Sequence, residues 1–160
     1  MHRSLPSLLR YLLPSLLFAL LLPVALPAAA APLDLAAYKG RVVYVDFWAS
    51  WCGPCRQSFP WMKAMHERHA ADGLVIVAVN VDAEKAQADA FLREFAPAFP
   101  VVFDPKGELA REFKVQSMPS SYLIGRDGRA RYLHRGFHDA KREQYEQEIR
   151  ELLAEKTPAP

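Results

Sequence analysis

The sequence predicts an α/β fold with a mixed, mostly parallel central sheet and helices on both faces. Strand-like and helix-like runs alternate from about residue 41 onward, which is typical of such layered folds. Two of the strand-like runs, 41–49 and 73–82, are almost continuously apolar, as in strands buried on both faces. The last two strand-like runs flank Asp127-Gly128, a strong hairpin signal that adds antiparallel strands to the sheet.

The individual elements follow from the period of the apolar residues. Runs rich in β-branched and aromatic residues predict five strands, which are residues 41–49, 73–82, 100–104, 120–124 and 130–135. Apolar residues at helical spacing predict four helices, which are residues 54–71, 84–96, 108–115 and a C-terminal helix from an Asp139 cap to about Glu155. The predicted order is therefore β-α-β-α-β-α-β-β-α.

The N-terminus has the pattern of a secretory signal. Arg3 and Arg10 give it a basic start, residues 12–26 form an apolar run, and Ala28 and Ala30 make a small-x-small cleavage pattern. The apolar run is short for a membrane span, and prolines interrupt it. We predict cleavage after Ala30, with an uncleaved inner-membrane anchor as the alternative.

Cleavage would divide the chain into a signal peptide, 1–30, and one domain, 31–160. The 20 Lys and Arg residues of the whole chain, less Arg3 and Arg10, leave 18 against 18 Asp and Glu. The domain is therefore near neutral, and nothing in its charge indicates a nucleic-acid partner. Export places it in a compartment that permits disulfides; in a bacterium this is the periplasm.

The only two cysteines, Cys52 and Cys55, enclose Gly53 and Pro54 just after the first predicted strand. A loop this small removes little entropy from the unfolded chain, so the pair would be a weak structural staple. At the first turn of a helix, free N–H groups and the helix dipole stabilise a thiolate. Cys52 lies nearest the helix start and is the predicted nucleophile; Cys55, one turn on, is the predicted second thiol.

Three other interpretations of the cysteine pair stay open. Together with His66 and His69 it resembles a zinc site, although the spacing fits a zinc finger poorly. Two soft thiolates could also hold copper(I), as in a metallochaperone. Finally, the pair could be a stable disulfide in a module without catalytic activity.

Asp46 is an acid inside the first apolar strand, six residues before Cys52. A buried carboxyl is unfavourable unless it is paired or used. Burial also raises its pKa toward neutrality, which suits proton transfer. Asp46 is thus a candidate catalytic acid–base, with a hydrogen-bonded structural aspartate as the alternative.

The motif VDFWASWCGPC resembles the active-site strand and helix start of thioredoxins. The segments CRQSFPWM, GLVIVAVNVD, FPVVFDPKGELAREFKV and MPSSYLIGRDGRARYLHRGF extend this likeness to the TlpA/ResA-like, secreted branch of thioredoxin-fold proteins, over about residues 33–153. The resemblance implies the thioredoxin fold with a family-type α-β insertion at 84–113. It also implies a dithiol at a helix N-terminus and a cis-proline opposite it.

The resemblance assigns roles to further residues. It implies that Asp46 assists Cys55 and that the cis-proline is Pro119, which from residue statistics alone would be trans. Backbone at Met118 would then receive an extended substrate segment beside the sulfurs. Trp51 is expected to shield one side of the site. With Gly53 and Pro54 these residues form the predicted substrate-binding set.

Two departures from the family pattern narrow the expected role. Ser58 stands where many members carry glutamate, and Asp46 stands where many carry asparagine. Conversely, Ala78 replaces the lysine that partners this aspartate in many thioredoxins. These departures weaken a dedicated role in cytochrome c maturation, which stays an alternative.

The sequence therefore predicts a periplasmic thiol:disulfide oxidoreductase that reduces exported proteins. The Gly-Pro dipeptide of thioredoxins favours the reducing direction, and the family resemblance implies a membrane thiol-reductant conveyor as electron donor. No metal and no cofactor beyond the two sulfurs is expected, and we expect a monomer. His134 and His138 are predicted to be surface residues.

Overall fold

The structure is a computed structural model that describes residues 33–156; the predicted signal peptide and its cleavage site lie outside them. Its five strands are β1 (Val42–Trp48), β2 (Leu74–Asn80), β3 (Val101–Phe103), β4 (Ser120–Ile124) and β5 (Ala130–Arg135). Its four α-helices are α1 (Gly53–His69), α2 (Lys85–Phe95), α3 (Glu108–Glu112) and α4 (Arg142–Ala154). Their order along the chain confirms the predicted β-α-β-α-β-α-β-β-α pattern.

The strands form one mixed sheet in the order β3-β2-β1-β4-β5. β1 runs parallel to β2, and β2 runs parallel to β3, whereas β4 is antiparallel to both β1 and β5. Every residue of β1 is buried, because β1 is flanked by β2 and β4 and covered on both faces. This position explains the continuous apolar run of its sequence.

Two apolar clusters hold the layers together, one on each face of the sheet. The larger contains the even-numbered side chains of β1, such as Tyr44 and Trp48, together with residues of α1, α2 and α4. The smaller contains the odd-numbered side chains Val43, Val45 and Phe47, with residues of α3 and the N-terminal turn packed against it. Helices therefore cover both faces, as the sequence predicted.

The prediction that Asp139 caps the C-terminal helix is wrong. Asp139 begins a short 3-10 turn that ends at Lys141, and α4 starts at Arg142 with Lys141 as its N-cap. The carboxylate of Asp139 pairs with Arg142 at 2.9 Å instead of binding a backbone N–H. The aspartate predicted from the sequence as a helix cap therefore begins the 3-10 turn that immediately precedes α4.

Within residues 33–156, none of the helices is long and apolar enough to cross a membrane.

Candidate active site

The cysteine pair sits where β1 gives way to α1. Cys52 is the N-cap of α1 and Cys55 lies in its first turn, so the two Cα atoms are 5.3 Å apart and the sulfurs are joined in a disulfide. The backbone N–H of Cys55 donates a hydrogen bond to Sγ of Cys52 at 3.2 Å. This contact and the helix dipole stabilise negative charge on the Cys52 sulfur after reduction.

The two cysteines differ in exposure. Cys52 is 4% exposed and Cys55 is completely buried. Cys52 is therefore the more exposed of the two, while the roles of Cys52 as nucleophile and Cys55 as second thiol stay predictions. Ser58, one turn after Cys55, is also buried, and its hydroxyl donates to the carbonyl of Cys55 at 3.1 Å.

Gly53 and Pro54 occupy the first two positions of α1 and are exposed. Pro54 fits there because the first N–H groups of a helix have no partner inside the helix. A Cβ on Gly53 would meet no atom within 4 Å, so the chain's own packing does not require glycine. The space above the disulfide is therefore open.

Trp51 is 70% exposed. It presents a large apolar surface next to Cys52, of the kind that recognition sites use. Its expected role of shielding one side of the site stays a prediction.

The Met118–Pro119 peptide bond is cis, as the resemblance implies. Phe47 near the end of β1 pairs with Ser120 at the start of β4. The Met118–Pro119 bond therefore lies at the end of the sheet where β1 leads to Cys52. The Gly136 N–H donates to the carbonyl of Pro119 at 2.8 Å, which fixes the segment to the end of β5. Met118 packs against the apolar cluster that contains both cysteines.

Asp46 is completely buried on the face of β1 that α1 covers. The Ser121 hydroxyl donates to its Oδ1 at 2.7 Å, while Oδ2 has no hydrogen-bond partner. Burial raises the pKa of Asp46 from 3.8 to about 7, and the bond from Ser121 opposes the shift. Ala78 lies beside Asp46 on β2, so no cation compensates the charge there.

Sequence reasoning missed a polar network beneath the loop that leads to Cys52. The carboxylate of Asp82 accepts hydrogen bonds from the Ser50 N–H at 3.0 and 3.2 Å and from the Ser50 hydroxyl at 3.0 Å. The Asn80 side chain donates to the same carboxylate at 2.8 Å. Because Asp82 is buried, losing it would leave several of these donors unpaired, at about 1–3 kcal/mol each. The sequence signal that could have indicated this network was the pair of polar residues, Asn80 and Asp82, at the end of the apolar run 73–82.

A second missed contact joins α1 to the insertion. Arg56, next to Cys55, forms an ion pair with Glu94 of α2. Its guanidinium also lies over the rings of Phe91 and Phe95, 5.3 and 5.1 Å from their centroids. The insertion therefore contacts the helix that carries both cysteines, which a purely distant structural element would not do.

The structure does not bring the histidines of α1 to the sulfurs. His66 packs near the Phe99 ring, with the ring centroids 6.2 Å apart, and His69 lies 3.4 Å from a carboxylate oxygen of Glu146. Within the described part of the chain, no cluster of three or more His, Cys, Asp or Glu could hold a metal ion.

The prediction that His134 is a surface residue is wrong, whereas His138 is exposed as expected. The His134 side chain is 10% exposed, and its Nε2 lies 2.6 Å from Oε2 of Glu148 on α4. β5 is an edge strand, but α4 covers the face on which His134 lies.

The fold and the paired cysteines define a thiol:disulfide oxidoreductase of the thioredoxin-fold type. Its sequence matches the Redoxin family over residues 23–149, and the chain belongs to that family. The relatives below also confirm the TlpA/ResA-like resemblance.

Three comparisons describe the likeness. The thiol-disulfide oxidoreductase ResA of Bacillus thuringiensis is 29% identical over 126 residues, which cover 79% of this chain and 69% of that protein. A Chlorobium tepidum crystal structure, provisionally described as thiol:disulfide interchange protein DsbE, is 48% identical with a TM-score of 0.74; the match covers 76% of this chain and 86% of that one. The crystal structure of StoA from Bacillus subtilis is 30% identical with a TM-score of 0.59, and the match covers 68% of this chain and 82% of that one.

Proposed function

We propose that this protein reduces disulfides in exported proteins, with Cys52 as nucleophile, Cys55 as resolving thiol and Asp46 as proton acceptor. The observation that carries the proposal is the helix N-terminus at Cys52, where the Cys55 N–H already points at the sulfur. A buried acid with a pKa of about 7 on the same face of β1 supports the role of Asp46.

The reaction has two exchanges. The Cys52 thiolate attacks one sulfur of the substrate disulfide; a Cys52–substrate bond forms, the substrate S–S bond breaks, and the departing thiolate takes a proton from water. Cys55 then gives its thiol proton to Asp46 and attacks the Cys52 sulfur. The Cys52–Cys55 bond forms as the second substrate thiolate leaves and is protonated by water. The substrate gains two electrons, and the dithiol loses them.

The open surface around the disulfide suits an extended substrate segment. Trp51 offers an apolar contact on one side, and Gly53 and Pro54 leave the approach to Cys52 free. On the opposite side, backbone at Met118 and Pro119 would pair with the segment in the manner of an added strand.

The compartment and the electron donor belong to this proposal. The basic start, apolar run and alanine pattern of residues 1–30 support export to the periplasm. A reductant there needs electrons from across the membrane, which we assign to a membrane thiol-reductant conveyor. We expect mass spectrometry of the exported protein to give a mature N-terminus close to Ala31; an intact Met1 on membrane-embedded protein would favour the anchor.

The direct test is insulin reduction with dithiothreitol as donor, followed as turbidity. We expect turnover, together with a Cys52–Cys55 potential nearer the roughly −270 mV of thioredoxin than the roughly −120 mV of the oxidant DsbA. A potential near the oxidant's value would reverse the proposed direction. Absence of turnover together with stoichiometric copper(I) binding would support the metallochaperone alternative instead.

A further inference from the structure

A row of polar side chains crosses the sheet from Asp46 to its edge. Asp46 opposes Ser121 in the β1–β4 pair, and Ser121 opposes His134 in the β4–β5 pair. Directly opposed residues share one face of a sheet, so these three side chains lie together on the side that α1 and α4 cover. In the other direction the neighbour of Asp46 is Ala78. Within the described sheet, the polar side chains next to Asp46 therefore lie only on the β4 and β5 side and not on the β2 side.

Two unpartnered polar atoms lie on either side of Ser121. Oδ2 of Asp46 and Nδ1 of His134 are both buried without a hydrogen-bond partner in the described structure, which is uncommon in folded proteins. The Ser121 hydroxyl now donates to Oδ1 of Asp46 at 2.7 Å. The Cβ atoms of opposed residues are about 4.5–5.5 Å apart. Nδ1 of His134 is not hydrogen-bonded to the Ser121 hydroxyl as it stands, so the Ser121 side chain must change its χ1 rotamer to bridge Asp46 and His134.

The outer end of the row reaches a solvent cleft. His134 and Glu148, 2.6 Å apart through Nε2 and Oε2, line a cleft of about 320 Å³ between β5 and α4. Gln144 holds the other carboxylate oxygen of Glu148 at 2.9 Å. When Nε2–H donates to Glu148, Nδ1 of the neutral ring carries a lone pair. That lone pair can accept a proton from the interior.

Other titratable groups around this row are few. Lys141 lines the cleft, and the rings of Tyr44 and Tyr145 lie 6.4 and 4.5 Å from that of His134. Burial raises the pKa of both tyrosines, so both stay neutral. Burial also lowers the pKa of His134 from 6.5, with Lys141 acting in the same direction and Glu148 opposing both.

Asp46 needs a route by which to lose its proton. It is completely buried, as is Cys55, so neither contacts water directly. An acceptor that takes the Cys55 proton must be ionised again before the next turnover.

We propose that His134 is the proton-exchange group of Asp46, and that the cleft between β5 and α4 is where the proton meets solvent. This inference rests on the proposed role of Asp46. When the Ser121 side chain has turned to bridge the two groups, the Asp46 proton passes to the Ser121 oxygen while the Ser121 proton passes to Nδ1 of His134. The imidazolium releases its Nε2 proton to cleft water past Glu148, and a flip of the neutral ring returns its N–H toward Glu148 for the next transfer. No electrons move, and one proton leaves for each proton taken from Cys55.

The test is a single-turnover reaction in which the reduced protein, held at pH 5.5, is mixed into dilute buffer at pH 8 that contains oxidised glutathione. Asp46 then starts protonated and must lose its proton before it can accept that of Cys55. His134→Gln keeps a polar side chain but cannot carry the proton. We expect it to react about tenfold more slowly at pH 8, below the 10²- to 10⁴-fold of a direct acid–base group, and added imidazole to restore much of the loss. The matched control is His138→Gln, an exposed histidine of the same cleft, which should react like the unmodified protein.

Several results would overturn the proposal. A His134→Gln rate equal to that of the unmodified protein would do so, as would a loss that imidazole does not restore, because a packing defect is not repaired by a buffer. If the variant does not fold, ¹³C NMR of the unmodified protein decides. The Asp46 carboxyl should then show a second inflection where the His134 ring titrates, and a carboxyl without that inflection contradicts the coupling.

The same measurements distinguish a failure of the proton-exit route from a failure of the proposed disulfide-reducing function. If the unmodified protein exchanges disulfides and Asp46→Asn is slow while His134→Gln is not, only the exit route fails. If the unmodified protein does not exchange disulfides, the proposed function itself fails.

Discussion

Cys55→Ser is expected to trap substrate proteins covalently on Cys52, whereas Cys52→Ser is expected to trap almost none. Cys52 caps α1 and receives the N–H of residue 55, a backbone contact that the Cys55→Ser change retains. The first exchange should therefore proceed and leave a mixed disulfide. Without the second thiol held one turn away, the unimolecular release step is lost.

The trapped species can be counted directly. Both variants are exported, alkylated and separated on non-reducing gels, and the complexes are identified by mass spectrometry after reduction. Both should lose nearly all insulin-reducing turnover, so the distinction lies in the trapping. Stronger trapping by Cys52→Ser would exchange the two assigned roles. Ser58→Ala is a matched control in the same helix turn, because it retains both sulfurs and should form no lasting complex.

The fold was predictable because its central elements carry strong local signals. β1 and β2 are continuous apolar runs, since both are interior strands of the sheet. β4 and β5 were predicted residue for residue, because Asp127-Gly128 fixes the turn between them; Gly128 adopts a φ of 79°, which favours glycine. The α1 boundaries differed by no more than two residues.

The misplaced features depend on contacts that no local pattern records. β5 alternates between exposed and half-buried residues without an apolar stripe, so the sequence alone does not show that α4 covers His134. The pairing of Ser50 with Asp82 joins residues 32 positions apart, and it depends on how the ends of β1 and β2 meet. By contrast, Asp46 and the cysteines were found because an acid in an apolar strand and a Cys-x2-Cys helix start are unusual locally.

Asp46→Asn is expected to slow resolution of the mixed disulfide by about 100-fold at pH 8, the lower end of the range for general acid–base groups. The amide matches the carboxyl in shape and can still accept from Ser121, but it cannot take the Cys55 proton. In the unmodified protein the rate should rise with pH through about 7, where Asp46 ionises. The variant should lack that inflection. Stopped-flow measurement of product release from pH 5 to 9 gives both profiles.

Asp104→Asn is a suitable control for this profile. Asp104 is another buried acid, but it follows β3, two strands from β1, and it accepts from the N–H groups of Glu108 and Ala110 at the start of α3. Its variant should keep the inflection even if it is less stable. An Asp46→Asn profile that still rises through pH 7 would reduce Asp46 to a structural role.

The same substitution should stabilise the protein, with an effect that grows with pH. The folded-state pKa of Asp46 is raised from 3.8 to about 7, so between these values the native state holds a proton that the unfolded state has lost. The free energy of unfolding of the natural protein therefore falls as pH rises through this window and stays low above it. At about 1.4 kcal/mol per pKa unit, the full difference is roughly 4 kcal/mol.

Asparagine does not titrate, so the oxidised variant should match the oxidised natural protein near pH 3, where the Asp46 carboxyl is largely protonated in both the folded and the unfolded state. It should then become the more stable of the two by up to roughly 4 kcal/mol at pH 8. Urea unfolding at these two pH values measures the difference, and any fixed effect of the amide cancels in the comparison. A constant difference at both values would show that Asp46 titrates at the same pH in both states. A gain in stability that accompanies a loss of resolution would mean that the fold keeps a destabilising buried charge because Cys55 needs it.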